Sequence, residues 1–94
     1  MTSKLRSGRA RRVDANTKEI VKALRAVGAT VIVANSEVDL IVGHCGTNHL
    51  MEVKASEKAP LKPSQQKLVE TWRGCYSIVH SPLEALRVLG VVDS

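Results

Sequence analysis

Phenylalanine does not occur in this chain, and Trp72 and Tyr76 are its only aromatic residues. The constraint is severe, because aromatic side chains ordinarily supply the largest share of a small core. A domain of 94 residues buries only a modest part of its surface. Here it must do so with Val, Leu, Ile and Met. The β-branched members of that set favour strands, so a sheet covered by helices is the natural solution. The 44% hydrophobic fraction is ordinary for one globular domain, and a second copy of the chain is the usual way to add buried area.

Periodicity orders the elements. Ile20, Val21, Leu24 and Val27 follow helical spacing, with Asp14 or Asn16 as cap. Asn16 and Glu19 are spaced as a capping box, and Gly28 stands where helices close. Ala29 to Ala34 reads as a strand, Asn35-Ser36 breaks it, and Val38 to Val42 reads as a second strand. His44 to Asn48 is a turn-rich connection to a third strand, His49 to Lys54, so these two form an antiparallel hairpin. Alternation puts Asp39 and Ile41 on one face of the second strand and Val38, Leu40 and Val42 on the other. In the third strand it groups Leu50, Glu52 and Lys54. Ala55 to Lys62 is a polar loop. Pro63 sits near the start of a second helix, with an apolar stripe of Leu68, Val69 and Trp72 that places the indole in the core, and Gly74 ends it. Cys75 is expected to be small and buried, Tyr76 to His80 is a fourth strand, and Ser81 caps a last helix, Pro82 to Leu89, closed by Gly90. The order αβββαβα fits an α/β sandwich around a central mixed sheet.

Charge is distributed unevenly. The net charge is +5, and Lys4, Arg6, Arg9, Arg11 and Arg12 all precede the first acid, Asp14. The other nine basic residues balance the nine acids. The chain thus reads as a basic arm over residues 1–13 and one domain over 14–94. The arm suits a phosphate backbone, and Lys58, Lys62, Lys67 and Arg73 can extend a DNA-binding face. No run reaches the length of a membrane span. Two cysteines and no secretory h-region lead us to expect free thiols and a cytoplasmic, intracellular protein. His44, Cys45 and His49 cluster at the hairpin, but three mixed ligands without a fourth make a poor zinc site.

The chemistry-bearing residues are Asp39, Glu52 and Lys54. Charges inside apolar strands are costly unless paired or bound to a metal. Two carboxylates and an ammonium on paired strands can meet, and a hard cation such as Mg²⁺ is held by one or two carboxylates plus water and phosphate oxygens. The Val53 carbonyl can add a further oxygen, and Lys54 can orient water or stabilise transition-state charge. Phosphodiester hydrolysis assisted by Mg²⁺ or Mn²⁺ is the chemistry such a set supports. A surface salt bridge on a half-exposed sheet is the alternative.

At these residues the sequence resembles the PD-(D/E)xK nuclease superfamily. Within it, the chain is similar to the short stand-alone VRR-NUC domains of phages, which are Holliday-junction-resolvase-like. The likeness runs from VDANTKEIVKALRAVGATV through VDLIVG and HLMEVK to KPSQQKLVETWRG and IVHSPLEALRVLG. It departs from the family just before the metal aspartate, where Ser36-Glu37-Val38 replace the usual Gly and Pro. The resemblance implies a restriction-endonuclease-like fold. It puts the family's metal aspartate on Asp39, its ExK on Glu52 and Lys54, its first-helix acid on Glu19 and its later glutamine on Gln65, with Gln66 as neighbour. Gln65 also falls on the buried side of its helix by its spacing to Leu68 and Trp72. Glu19 has the capping-box acid as its other role. The resemblance further implies a homodimer that cuts branched, four-way-junction DNA, in the host cytoplasm if the chain is phage-encoded. A non-catalytic nucleic-acid-binding module on the same fold and a protein-interaction module are the alternatives.

Overall fold

The structure, a computed structural model, describes residues 15–34 and 36–92. The basic arm, Lys4 to Arg12, and the candidate cap Asp14 lie outside the described residues. Seven elements follow one another: α1 (Ala15–Ala26), β1 (Thr30–Val33), β2 (Leu40–His44), β3 (Thr47–Val53), α2 (Pro63–Thr71), β4 (Cys75–Val79) and α3 (Pro82–Leu89). The order is the expected αβββαβα. The strands form one mixed sheet in the order β1-β2-β3-β4, antiparallel except for the parallel pair β3/β4. A parallel pair needs a crossover, and the loop and α2 supply it.

Alternation decides what each face of the sheet does. Val31, Leu40, Val42, Met51 and Val79 point to one side and are no more than 7% exposed. There they pack with Ile20, Val21 and Leu24 of α1 and Ala85 of α3. The core is aliphatic, as the lack of Phe requires. The opposite face carries Ile32, Ile41, Leu50 and Tyr76, which stand side by side in the register across all four strands. Among the described helices only α2 lies on that side, and Gln65 is its one buried residue.

Local signals explain the boundaries. Gly28 takes a left-handed φ of 92°, and the Ala29 N–H donates to the Leu24 carbonyl, which closes α1. The β2–β3 hairpin is tighter than its composition implied. His44 pairs with Thr47, and Cys45 and Gly46 turn the chain with φ of 50° and 77°, the two positive values that a two-residue type I′ turn requires. Ser81 accepts from the Glu84 N–H to cap α3, and Gly90 ends it. Asn16 lies inside the first turn of α1 instead of capping it, and its Nδ2 donates to the His80 carbonyl at 3.2 Å. The start of α1 is thereby fixed to the end of β4.

Three expectations near the end of α2 fail. The helix stops at Thr71, with Trp72 as its C-cap, and the indole is 45% exposed. It lies over Gly74, where an added Cβ would come within 2.9 Å of the ring nitrogen. Gly74 therefore admits the ring and does not itself end the helix. Cys75, which follows, is exposed, because the chain has only just entered the edge strand β4. No helix among the described residues is long and apolar enough to cross a membrane.

Candidate active site

Register brings the two acids together. Leu40 pairs with Met51 in the antiparallel β2/β3 ladder, so one further step sets Asp39 opposite Glu52 with both side chains on the α2 side. Asp39 does not lie mid-strand, as its sequence neighbours implied. Strand β2 begins one residue later, at Leu40. The reason is visible in the hydrogen bonding: the Val53 N–H donates to Asp39 Oδ2 at 2.8 Å, a side-chain acceptor at the point where the ladder stops. That bond orients Asp39 and keeps the Val53 backbone beside the carboxylates.

Glu52 is 3% exposed. Its Oε2 accepts from Gln65 Nε2 at 2.7 Å and lies 3.6 Å from Lys54 Nζ. Lys54 Nζ in turn donates to Gln65 Oε1 at 3.1 Å. The same oxygen accepts the Lys62 N–H at 2.9 Å, one of the orphan donors at the start of α2. These partners fix the Gln65 amide in one orientation, because a flip would turn its NH₂ toward two donors and its oxygen toward the carboxylate. Gln65 is thus a brace between β3 and α2. It touches both charged groups of the ExK pair, and it is buried, as its helical position predicted.

The electrostatics follow from the crowding. Burial raises the Glu52 pKa to about 7, and the adjacent Asp39 carboxylate pushes in the same direction. Lys54 opposes the shift without cancelling it. One ammonium faces two carboxylates, so the site is short of positive charge. Glu52 Oε1 is buried and has no hydrogen-bond partner, and the same is true of the Tyr76 hydroxyl. Buried oxygens without partners are rare in folded proteins, and each calls for an explanation such as a catalytic role, strain, or a bound water or ion.

The remaining candidates fall elsewhere. Glu19 is exposed on α1, and among the described residues no hydrogen bond or ion pair joins it to Asp39, Glu52 or Lys54. At the hairpin turn, Cys45 Sγ lies 3.7 Å from His44 Nε2, at the opposite end of β3 from Glu52. Lys58, Lys62, Lys67 and Arg73 are all exposed, and Lys62 caps the helix that carries Gln65. A cleft lined by Lys54, Glu57, Ala59, Leu61, Ile78 and His80 opens beside the ExK pair. Tyr76 was not singled out in the sequence, where it reads as an ordinary strand former. The available signal was alternation, which aligns Tyr76, Ile78 and His80 on one face of the fourth strand. Comparison with known proteins gives no match: no family model fits the chain, and no curated protein or solved structure is similar to it.

Proposed function

We propose that this chain is a Mg²⁺- or Mn²⁺-dependent endonuclease that hydrolyses DNA phosphodiesters. In this reading its fold is the restriction-endonuclease-like sandwich of the PD-(D/E)xK and VRR-NUC type. One observation carries the proposal. A buried glutamate opposite an aspartate is pushed to a pKa of about 7 while one of its oxygens is left without a partner. A divalent cation relieves both conditions at once, because it supplies the missing charge and takes the bare oxygen as a ligand. The donor set fits, since Mg²⁺ is commonly held by one or two carboxylates with water and phosphate completing its shell. Asp39, Glu52 and the Val53 carbonyl would hold it, and its chemistry there is to acidify water and to neutralise charge on the phosphate.

The chain's own residues have separable tasks in this reading. Lys54, held by Gln65 and only 15% exposed in its side chain, offers its ammonium to the phosphate as charge develops. Gln65 is a positioning residue that fixes Glu52 Oε2 and Lys54 together. Asn16 fixes the start of α1 to His80, one residue beyond the Val79–Val53 pair. The basic residues Lys4, Arg6, Arg9, Arg11 and Arg12 suit contact with the phosphate backbone of the DNA substrate. A homodimer acting on four-way-junction DNA completes the reading. The apolar row Ile32, Ile41, Leu50 and Tyr76 on the face opposite the core supports a second copy.

The test incubates the full chain with labelled four-way-junction, linear duplex and single-stranded DNA, with Mg²⁺, Mn²⁺ or chelator. Cutting is expected with either metal and not with chelator. Asp39→Asn and Glu52→Gln are each expected to lower the rate by at least about a hundredfold, as loss of a transition-state charge contact does, with DNA affinity retained. Cutting that persists in both variants overturns the proposal. Metal-independent binding without cutting by the parent chain would point instead to a binding module.

A further inference from the structure

The two buried polar atoms without partners, Glu52 Oε1 and the Tyr76 hydroxyl, stand on the same face of adjacent strands. Leu50 pairs with Tyr76 and Glu52 with Ile78 in the parallel β3/β4 ladder. Paired residues share a face, and so do residues two apart, so Tyr76 and Glu52 are diagonal neighbours on the α2 side. The hydroxyl feels both acids: after burial, the charges of Glu52 and then Asp39 push its pKa upward. Yet no hydrogen bond joins the phenol to either one. A buried donor and a buried acceptor at neighbouring positions, neither with a partner among the described residues, can both be satisfied by a group bound at the site.

We propose that Tyr76 flanks the cation position at Glu52 Oε1, where its phenol donates a hydrogen bond to a water or phosphate oxygen carried by the cation at the Asp39–Glu52 pair. The inference rests on the cation reading given above and adds a residue to it. Tyr76 is a neutral donor on the side of Glu52 away from Lys54 and Gln65, which both engage Oε2. An O–H donor suits that place better than a second ammonium, because it orients an oxygen ligand without competing for the cation's own charge. Partners of this kind around a metal ligand change its affinity by one to two orders of magnitude. They also lower stability when nothing is bound, because an unpaired buried donor is unfavourable.

That opposition supplies the test. Mn²⁺ alone is titrated into the full chain and into Tyr76→Phe at pH 8, where Glu52 is ionised, and binding is followed by calorimetry and by the loss of the free-ion paramagnetic resonance signal. Thermal unfolding is measured in chelator. Tyr76→Phe is expected to bind Mn²⁺ about tenfold more weakly while unfolding at the same or a higher temperature in chelator. Equal Mn²⁺ affinity in the two proteins overturns the inference and leaves the cation reading standing. A lower unfolding temperature in chelator also overturns it, since it would show the hydroxyl in a structural hydrogen bond. Absence of Mn²⁺ binding by the parent chain overturns the cation reading and this inference together. Glu52→Gln, which removes the charged ligand, is expected to abolish binding and calibrates the zero of the assay.

Discussion

The two faces of the sheet solve opposite problems. On the face under α1 and α3, Leu40, Val42 and Met51 are fully buried and Val31 and Val79 nearly so. The side chains named are apolar, and among the described residues no unpartnered buried polar atom lies on this face. On the other face Ile32 is 57% exposed and Ile78 37%, α2 is the only helical cover among the described residues, and both of their unpartnered buried oxygens are found. A short aliphatic chain thus concentrates its stability on one side. That concentration lets the other side keep a pair of crowded carboxylates that folding alone would not favour. The strands are shared, so successive residues of β3 serve the two purposes in turn: Met51 for the core, Glu52 for the site.

The largest effect should come from breaking the stable side. Leu24→Ala removes a fully buried α1 side chain and is expected to cost about 2–5 kcal/mol. For a domain of this size that lowers the unfolding temperature by roughly ten degrees or more. Ile32→Ala, on the open face, should change stability by no more than about 0.5 kcal/mol at chain concentrations low enough to keep copies apart. Thermal unfolding of the two variants measures the asymmetry directly, and similar losses would mean that the open face is also a core.

Much of this division could be read before the coordinates. The alternation of Val38, Leu40 and Val42 against Asp39 and Ile41 identified the core face, and hairpin pairing brought Asp39 to Glu52. The spacing of Gln65 to Leu68 put the amide inward. What could not be read was set by tertiary geometry. Tyr76 meets Glu52 only through a parallel register fixed across a crossover of more than twenty residues, and no local pattern encodes that register. Trp72 was assigned to the core by helical spacing, but the helix ends before it and the ring settles on Gly74. Asn16 and Glu19 have capping-box spacing, yet α1 has already begun at Ala15, so Asn16 turns to His80 instead. The Trp72 and Asn16 misses came from helix boundaries lying a residue or two from where propensity placed them, which is where sequence patterns are weakest.

An intermediate effect is expected from proton linkage on the open face. The folded pKa of Glu52 is about 7 against an ordinary value of 4.5, so the folded chain holds this proton more tightly than the unfolded chain does. Its contribution to stability is therefore complete below about pH 4.5 and is lost as pH rises to about 7. In chelator, the parent chain should lose stability across that window relative to Glu52→Gln, and the variant should be the more stable of the two at pH 8. Subtracting the variant's profile isolates the contribution of Glu52 from that of every other group. Added Mg²⁺ competes with the proton, so its affinity should climb about tenfold per pH unit below pH 7 and level off above it. A difference profile that is flat from pH 5 to 8 would show that Glu52 is not crowded in the way the geometry indicates.

The smallest effect distinguishes the two sides as surfaces for DNA. Asp39 and Glu52 face α2, so a phosphate at the site should lie near Lys58 and Lys62, both exposed and both in the segment that leads into that helix. Lys18 and Lys22 are equally exposed but line a groove between α1 and the edge strand with Val21, Arg25 and Val33, behind the sheet. Each phosphate contact adds about 0.9 to the slope of log affinity against log salt. Lys58→Ala with Lys62→Ala should therefore lower the slope by about 1 to 2, while Lys18→Ala with Lys22→Ala should leave it unchanged, at equal loss of net charge. Because the two double variants remove the same formal charge, a general field effect would shift both slopes alike. Only contact made on the site's own side of the sheet separates them, and a larger loss from the α1 pair would place the nucleic acid across the core-facing helices instead.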